Sequence, residues 1–447
     1  MSTRLTTYFK LHKFSILFVF FSLVFYYTLA YQLERIDFIK LLTLFLALFF
    51  FYLKLIQFEK WNYRFLLAAG ILARVVFLPM EPHLSQDFYR FIWDGELVSN
   101  FMNPYVEVPN ILIKQPDLII ANAQELYMGM GDLSARHYSN YPPLNQLLFA
   151  LAALLGGKTV LGSIIAMRSI IILADIGIFY FGRKLLKKLN CSPHLIFWYF
   201  LNPLVIVELT GNLHFEGAML FFFVWSMYLL SIKKWQWAAV VFGCSISIKL
   251  VPLLFLPLFL NYLGVKRSIL FYIIVLSTLI LSFAPFYTFE FVSNYSQTLS
   301  LWFSNFEFNA GIYNLIKQIA VHFDQKPWEF IKTYGKITPL ITVSVVLLLT
   351  FFGKNRNLLG LMTSMMWALT IYYLISTTVH PWYIVFLVLL ASFTSYRYAL
   401  IWSAAIILSY FAYSQVDFKE NLLLLAIEYI SVLGFICYEF FAHPNKK

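Results

Sequence analysis

Charge is scarce in this chain. Only 12% of its 447 residues are Asp, Glu, Lys or Arg, while 61% are hydrophobic and 20% aromatic. Mean hydropathy is +0.74. A soluble globular domain, with about a quarter of its residues charged, is excluded by that balance. Cysteine is nearly absent. Cys191, Cys244 and Cys437 stand far apart, in or beside apolar stretches, which excludes a disulfide framework and a cysteine metal cluster. No HExxH, CxxC, dinucleotide-binding glycine loop or P-loop occurs, so zinc-protease, redox and nucleotide chemistry have no carrier. Internal repeats are also missing. The net charge of +11 does not indicate a nucleic-acid partner, because the basic residues cluster at the ends of apolar runs.

What is present is a series of apolar runs approaching the ~20 residues that cross a bilayer. They lie at roughly 14–30, 38–56, 64–80, 161–181, 194–210, 215–232, 268–285, 337–352, 357–375, 381–394, 398–413 and 422–441. The first follows Arg4, Lys10 and Lys13 like a signal peptide, but it is long, aromatic and without a small-residue cleavage site. The expectation is therefore an all-α polytopic membrane protein of about twelve full spans plus a membrane hairpin. With a cytoplasmic N-terminus, 19 of the 33 lysines and arginines fall on the cytoplasmic side, including Lys446 and Lys447, so both termini are expected there.

The interval 81–142 then lies outside, carrying eight acids against three bases, a net charge of −5. A structureless loop of that length is unusual unless functional, and helices lying along the membrane surface are expected within it. Its opening stretch, Ser85 to Tyr105, reads SQDFYRFIWDGELVSNFMNPY. Asp87, Arg90 and Asp94 fall on one helical face, Tyr89 and Trp93 are four apart, Gly95 is a candidate helix end, and Asn103-Pro104-Tyr105 reads as a turn. Leu144 to Leu155 is too short to cross and is expected to lie at, or dip into, the outer surface. In 236–263, Pro252 and Pro257 suggest two short helices meeting near Lys249, the kind of break that surrounds membrane binding sites. The second outer loop, 286–336, has no Gly/Ser-rich linker, and nothing marks a separate soluble domain.

SQDFYRFIWDG at 85–95 followed by NPY at 103–105 resembles the first outer loop of GT-C glycosyltransferases, most closely the polyprenyl-phosphate-mannose-dependent mannosyltransferases. YPPL at 141–144, MRSIIILADIGIFY at 167–180, NPLVIVELTGNLHFEG at 202–217 and VHPWY at 379–383 follow in the same order. The resemblance implies transfer of a hexose, most simply mannose, from a polyprenyl-phosphate donor to a lipid-linked glycan or other acceptor at the non-cytoplasmic face, inverting. Asp87, the first acid of the motif, would be the general base, with the protein otherwise supplying position and charge stabilisation. The absence of nucleotide-binding motifs agrees with a lipid-linked donor.

Substrate-binding candidates are Arg90, Asp94, Arg74, Tyr141, Arg168, His214, Glu216, Lys249, His380, Trp382 and Tyr383. Each has a structural alternative. Arg90 and Asp94 can pair with each other; Tyr89 and Trp93 can anchor at the interface or stack on sugar. Arg74, Arg168, Asp175 and Lys249 sit in apolar segments, where a charge costs at least ~2.5 kcal/mol at mid-bilayer. For Asp175 an internal ion pair is expected, with Arg168 seven residues away on the same helical face. Lys249 is the candidate for the donor phosphate. The family commonly has Asp where Glu216 stands, and Gln86-Asp87 replaces the adjacent acid pair of some relatives, which argues against a divalent metal. No cofactor is expected; a divalent metal is not indicated, though the chemistry leaves room for one. The chain divides into two extra N-terminal spans (1–63), a catalytic core (64–285, with outer loop 81–160), the second outer loop, and a C-terminal bundle (337–447) bearing the 379–383 turn. Expected partners are the lipid-linked donor, a glycan or glycolipid acceptor and membrane lipid; the expected location is a bacterial plasma membrane, the site facing the periplasm. An O-antigen polymerase or ligase would need arginines in 286–336, which has only lysines; a lipid or glycan transporter would need repeats.

Overall fold

The computed structural model describes residues 2–304, 306–415 and 417–442; the expected cytoplasmic Lys446 and Lys447 lie outside them. Among the described residues the only extended pairing is one bridge, Phe308 to Thr378. Everything else ordered is helix or turn. Helices satisfy their own backbone groups, as a hydrocarbon solvent demands, and the protein is an all-α polytopic membrane protein.

Helix α1 (Ser2–Tyr31) packs on α2 (Phe38–Phe58). In α2, Leu41, Phe45, Leu48, Tyr52 and Leu55 are buried every three or four positions, leaving the other face for lipid. Among the described residues seven helices are long and apolar enough to span: Thr6–Tyr31, Phe38–Phe58, Val160–Lys188, Val265–Phe286, Pro327–Phe352, Leu358–Ile375 and Leu422–Phe441. An eighth is made if Pro193–Phe200 and Pro203–Gly211, bent by 54°, count as one. The remaining runs of the expected twelve form shorter helices, for identifiable reasons. The expected span 64–80 is the 13-residue α3 (Tyr63–Val75), after which the chain turns and gives the carbonyls of Leu78 and Met80 to Arg168. Runs 381–394 and 398–413 break into 3-10 turns at Pro381–Tyr383 and Ile406–Ser414.

The interval 81–142 is folded, and its first helix differs from a surface helix. In α4 (Asp87–Ser99), Phe88, Arg90 to Leu97 and the ring of Trp93 are all buried. This helix packs on Pro143–Leu155 and on Ala123–Ala135. Trp93 is thus a core residue, neither an interface anchor nor a sugar platform. Gly95 does not end the helix. A Cβ there would stand 2.5 Å from the carbonyl oxygen of Phe149, so glycine is needed for close approach in mid-helix. The Asn103 side chain does form the expected turn, accepting from the Tyr105 N–H at 3.0 Å and donating to the Phe286 carbonyl at 2.8 Å. Tyr105 then packs against Phe286, Phe291 and Tyr295, joining the two long loops.

Residues 236–263 form two short helical stretches, Trp235–Ile246 and Val251–Leu263, meeting at Ser247 to Leu250. Ser247 caps the Pro143–Leu155 helix: its carbonyl accepts from Leu144 N–H (3.0 Å) and Asn145 N–H (3.3 Å), and its hydroxyl from Leu144 N–H (3.2 Å). The hairpin tip is thereby fixed to the helix on which α4 rests.

Gly95→Ala forces α4 away from Phe149. It should lower the thermal midpoint of the detergent-purified protein by the equivalent of about 1–3 kcal/mol; an unchanged midpoint would show that the approach at Gly95 is not tight.

Candidate active site

Asp87 opens α4, its backbone N–H held by the Ser85 hydroxyl at 3.3 Å. An acid in a first helical turn faces free N–H groups and the positive end of the dipole. The side chain is half-buried, and among the described residues its carboxylate has no hydrogen-bond partner. Burial pushes its pKa above the ordinary carboxylate value; Lys249 pulls it back, Glu216 raises it and Arg35 lowers it. An acid so placed is a better base than an exposed one.

Lys249, at the hairpin tip, pairs with Glu216 Oε1 at 3.0 Å and lies 5.2 Å from the Tyr141 ring centroid. It is 22% exposed, and Glu216 Oε2 has no partner. Beside this pair runs a column of parallel rings. His214 stacks on Trp382 at 3.8 Å, Trp382 on His380 at 4.3 Å, and His380 on Phe308 at 5.0 Å. Tyr383 meets His380 edge-on and lies within electrostatic reach of Asp87 and Glu216. Burial and Lys249 hold His380 down to a pKa of about 3, and His214 well below the ordinary value. Both imidazoles are neutral near pH 7, so what they offer a ligand is hydrogen bonds and ring faces rather than charge. His380 Nδ1 and His214 Nε2 are buried without partners, atoms that a sugar hydroxyl or phosphate oxygen can satisfy.

Sequence reasoning missed one member. Glu208 lies in a π-helical turn, Ile206–Gly211, a form that recurs at functional sites. It accepts from Tyr410 OH at 2.7 Å and Asn212 Nδ2 at 3.1 Å, and lies 3.7 Å from His214 Nε2. The signal was a single acid in the otherwise apolar run 194–210. Leu213, at φ 62°, holds His214 in place through a left-handed turn.

Other candidates fall elsewhere. Arg90 pairs with Asp94 at 2.7 Å and donates to the carbonyls of Ser134 and His137; Asp94 also accepts from Ser139 (2.6 Å) and Gln146 (3.1 Å). This network fixes α4 to the chain leading into Tyr141. Asp175 is ion-paired as expected, but with Arg74 (2.8 Å) rather than Arg168, and Tyr199 donates to its other oxygen at 2.9 Å. Arg168 is committed instead to four carbonyls, those of Leu78, Met80, Thr210 and Gly211. Among the described residues no three His, Cys, Asp or Glu are grouped so as to hold a metal ion.

A half-buried carboxylate, a lysine and a column of stacked rings, gathered on a bundle of apolar helices, are an arrangement that suits a polytopic membrane glycosyltransferase. Comparison with family models reaches the same class independently. Residues 37–264, just over half of the chain, match the MptA_B family, described as alpha-(1->6)-mannopyranosyltransferase, N-terminal domain. The chain belongs to that family and is a mannosyltransferase. The matched range includes α2, so the family pattern takes in the second of the two spans expected to be extra. No curated protein matches the chain.

Removing one partner of a buried pair strands the other. Asp175→Asn should cost about 3–5 kcal/mol of stability, and the Arg74→Met/Asp175→Asn double variant less than the sum of the singles. Additive losses in thermal midpoint would show that the two groups do not interact.

Proposed function

We propose that the protein transfers mannose from a polyprenyl-phosphate carrier to a hydroxyl of a glycan or glycolipid acceptor in a single inverting displacement. Asp87 takes the acceptor proton as the acceptor oxygen forms its bond to the anomeric carbon. The bond from that carbon to the phosphate oxygen breaks, and the electron pair leaves with the lipid phosphate. Lys249 stabilises the departing anion, while Trp382, Tyr383 and the neutral His380 and His214 hold the sugar. The observation that carries this reading is Asp87: a half-buried carboxylate with no hydrogen-bond partner among the described residues, within electrostatic reach of Lys249.

If the product is the α-(1→6) linkage of the family's description, inversion requires a β-linked donor and a 6-hydroxyl on the acceptor. Position along one helix supports a site on the non-cytoplasmic side of a bacterial plasma membrane, with cytoplasmic termini. Arg168, which holds the chain just before α4, and the basic cluster ending at Lys188 share the helix Val160–Lys188. Twenty residues at about 1.5 Å each separate them by ~30 Å, the thickness of a hydrocarbon core, and the basic end belongs inside. The transfer needs no resident metal in this scheme, so activity should survive chelation.

The test is labelled-mannose transfer by the purified enzyme from synthetic β- and α-linked polyprenyl-phosphate-mannose, with and without chelator. Transfer from the β anomer alone, insensitive to chelator, is expected; transfer from the α anomer would reject single displacement. A pH profile tests the base. Deprotonated Asp87 is the active form, so the rate should fall as pH drops through a pKa above the ordinary carboxylate value. Because Lys249 lowers that pKa, Lys249→Met should move the acid limb to higher pH and raise the donor KM. A limb that stays in place would separate Asp87 from the rate.

A further inference from the structure

Arg35 lies in the turn between α1 and α2, two residues before the range matched by the family. Its guanidinium carbon sits 3.8 Å from the centroid of the Tyr413 ring. Tyr413 packs on Phe308 at 5.7 Å, and Phe308 stacks on His380. Arg35 therefore stands at the end of the same ring wall that carries Trp382 and His214. It is within electrostatic reach of Asp87, as Lys249 is.

Among the described residues Arg35 differs from the other cations around the site in having no anion or carbonyl partner. Arg74 has Asp175, Arg90 has Asp94, Lys249 has Glu216, and Arg168 has four carbonyls. Arg35 makes no ion pair among the described residues, and its Nε is buried without a hydrogen-bond partner. A buried donor left empty is costly, and a guanidinium carried on an aromatic face can still offer N–H groups to anionic oxygens.

We propose that Arg35 is a second phosphate-binding residue of the active site, reaching the lipid-linked phosphate from the α1–α2 turn, independently of Lys249. This rests on the reading of the donor as a polyprenyl phosphate ester. The phosphate gains negative charge as its bond to the anomeric carbon breaks, so a bidentate arginine binds the leaving group more tightly than the donor. The α1–α2 pair thereby contributes to the chemistry as well as to the bundle.

The experiment uses the full chain in lipid nanodiscs and measures binding of a short-chain polyprenyl phosphate, with inorganic phosphate as a second probe. Arg35→Gln should weaken lipid-phosphate binding on the order of 10-fold or more, and Arg35→Lys should restore part of it, as loss of a charge-assisted bidentate contact implies. The KM for acceptor should be unchanged, and inorganic phosphate should bind far more weakly than the lipid phosphate. Unchanged lipid-phosphate affinity in Arg35→Gln overturns the proposal. Inorganic phosphate binding as tightly as the lipid phosphate, and lost with Arg35, also overturns it by assigning the site to free phosphate. Should Arg35→Gln fail to fold, Tyr413→Leu, which removes the ring shelf, should weaken lipid-phosphate binding several-fold, and no change there counts against the proposal. Failure of the donor reading looks different: wild-type enzyme would bind lipid phosphate through Arg35 yet transfer nothing from the mannosyl lipid.

Discussion

The site depends on how closely α4 approaches the helix Pro143–Leu155. Gly95 lets the backbone of Phe149 come within a distance that no side chain would allow. That contact fixes the height and direction of α4, and so the place of Asp87 at its first turn. The N-terminus of the same Pro143–Leu155 helix is capped by Ser247, two residues from Lys249. One helix therefore sets the distance between the proposed base and the proposed phosphate cation, although they are far apart in sequence. The Arg90–Asp94 pair, with Ser139 and Gln146, braces the same arrangement from inside. Its role is positional, and burial makes it a better brace than an exposed pair would be.

Charge is handled in two ways. Where it is structural it is cancelled: Arg74 by Asp175, Arg168 by carbonyls at the end of α3 and of the π-turn. Around Asp87 cancellation is incomplete. Glu216 keeps an unpartnered oxygen, Arg35 an unpartnered nitrogen, and two buried imidazoles an open nitrogen each. Unsatisfied polar atoms are expensive in a low-dielectric interior, and these four fit a site whose substrate completes the hydrogen bonding. The neutral histidines suit that role, since a second and third fixed positive charge beside Lys249 would be costly.

Much of the fold was legible because hydropathy in a membrane protein is close to a direct readout of solvent. The broken hairpin was visible in Pro252 and Pro257, and the turn at Asn103 in its residues. The number of full-length spans was less legible. Apolar composition cannot distinguish a helix that crosses from one that ends early because its last carbonyls are needed by a neighbour, as at Leu78 and Met80. Candidates for the site came from a motif at Asp87 and the 379–383 turn and from the broken hairpin at Lys249, and the structure places Lys249 and Tyr383 within electrostatic reach of Asp87. The site was not legible where the partner came from elsewhere: Arg74 for Asp175, Tyr410 for Glu208, Tyr413 for Arg35. Trp93 misled for a related reason. An aromatic beside charges reads as interfacial until the helix that covers it is known.

The central claim is that Asp87 removes the acceptor proton rather than holding substrate. The measurement that meets it most directly is single-turnover mannosyl transfer by Asp87→Asn, with donor binding measured in the same preparation. The nearly isosteric variant should bind donor about as well as the wild type while transfer falls by a factor of ~10² or more, the usual contribution of a positioned base. Transfer at the wild-type rate with donor bound would contradict the claim.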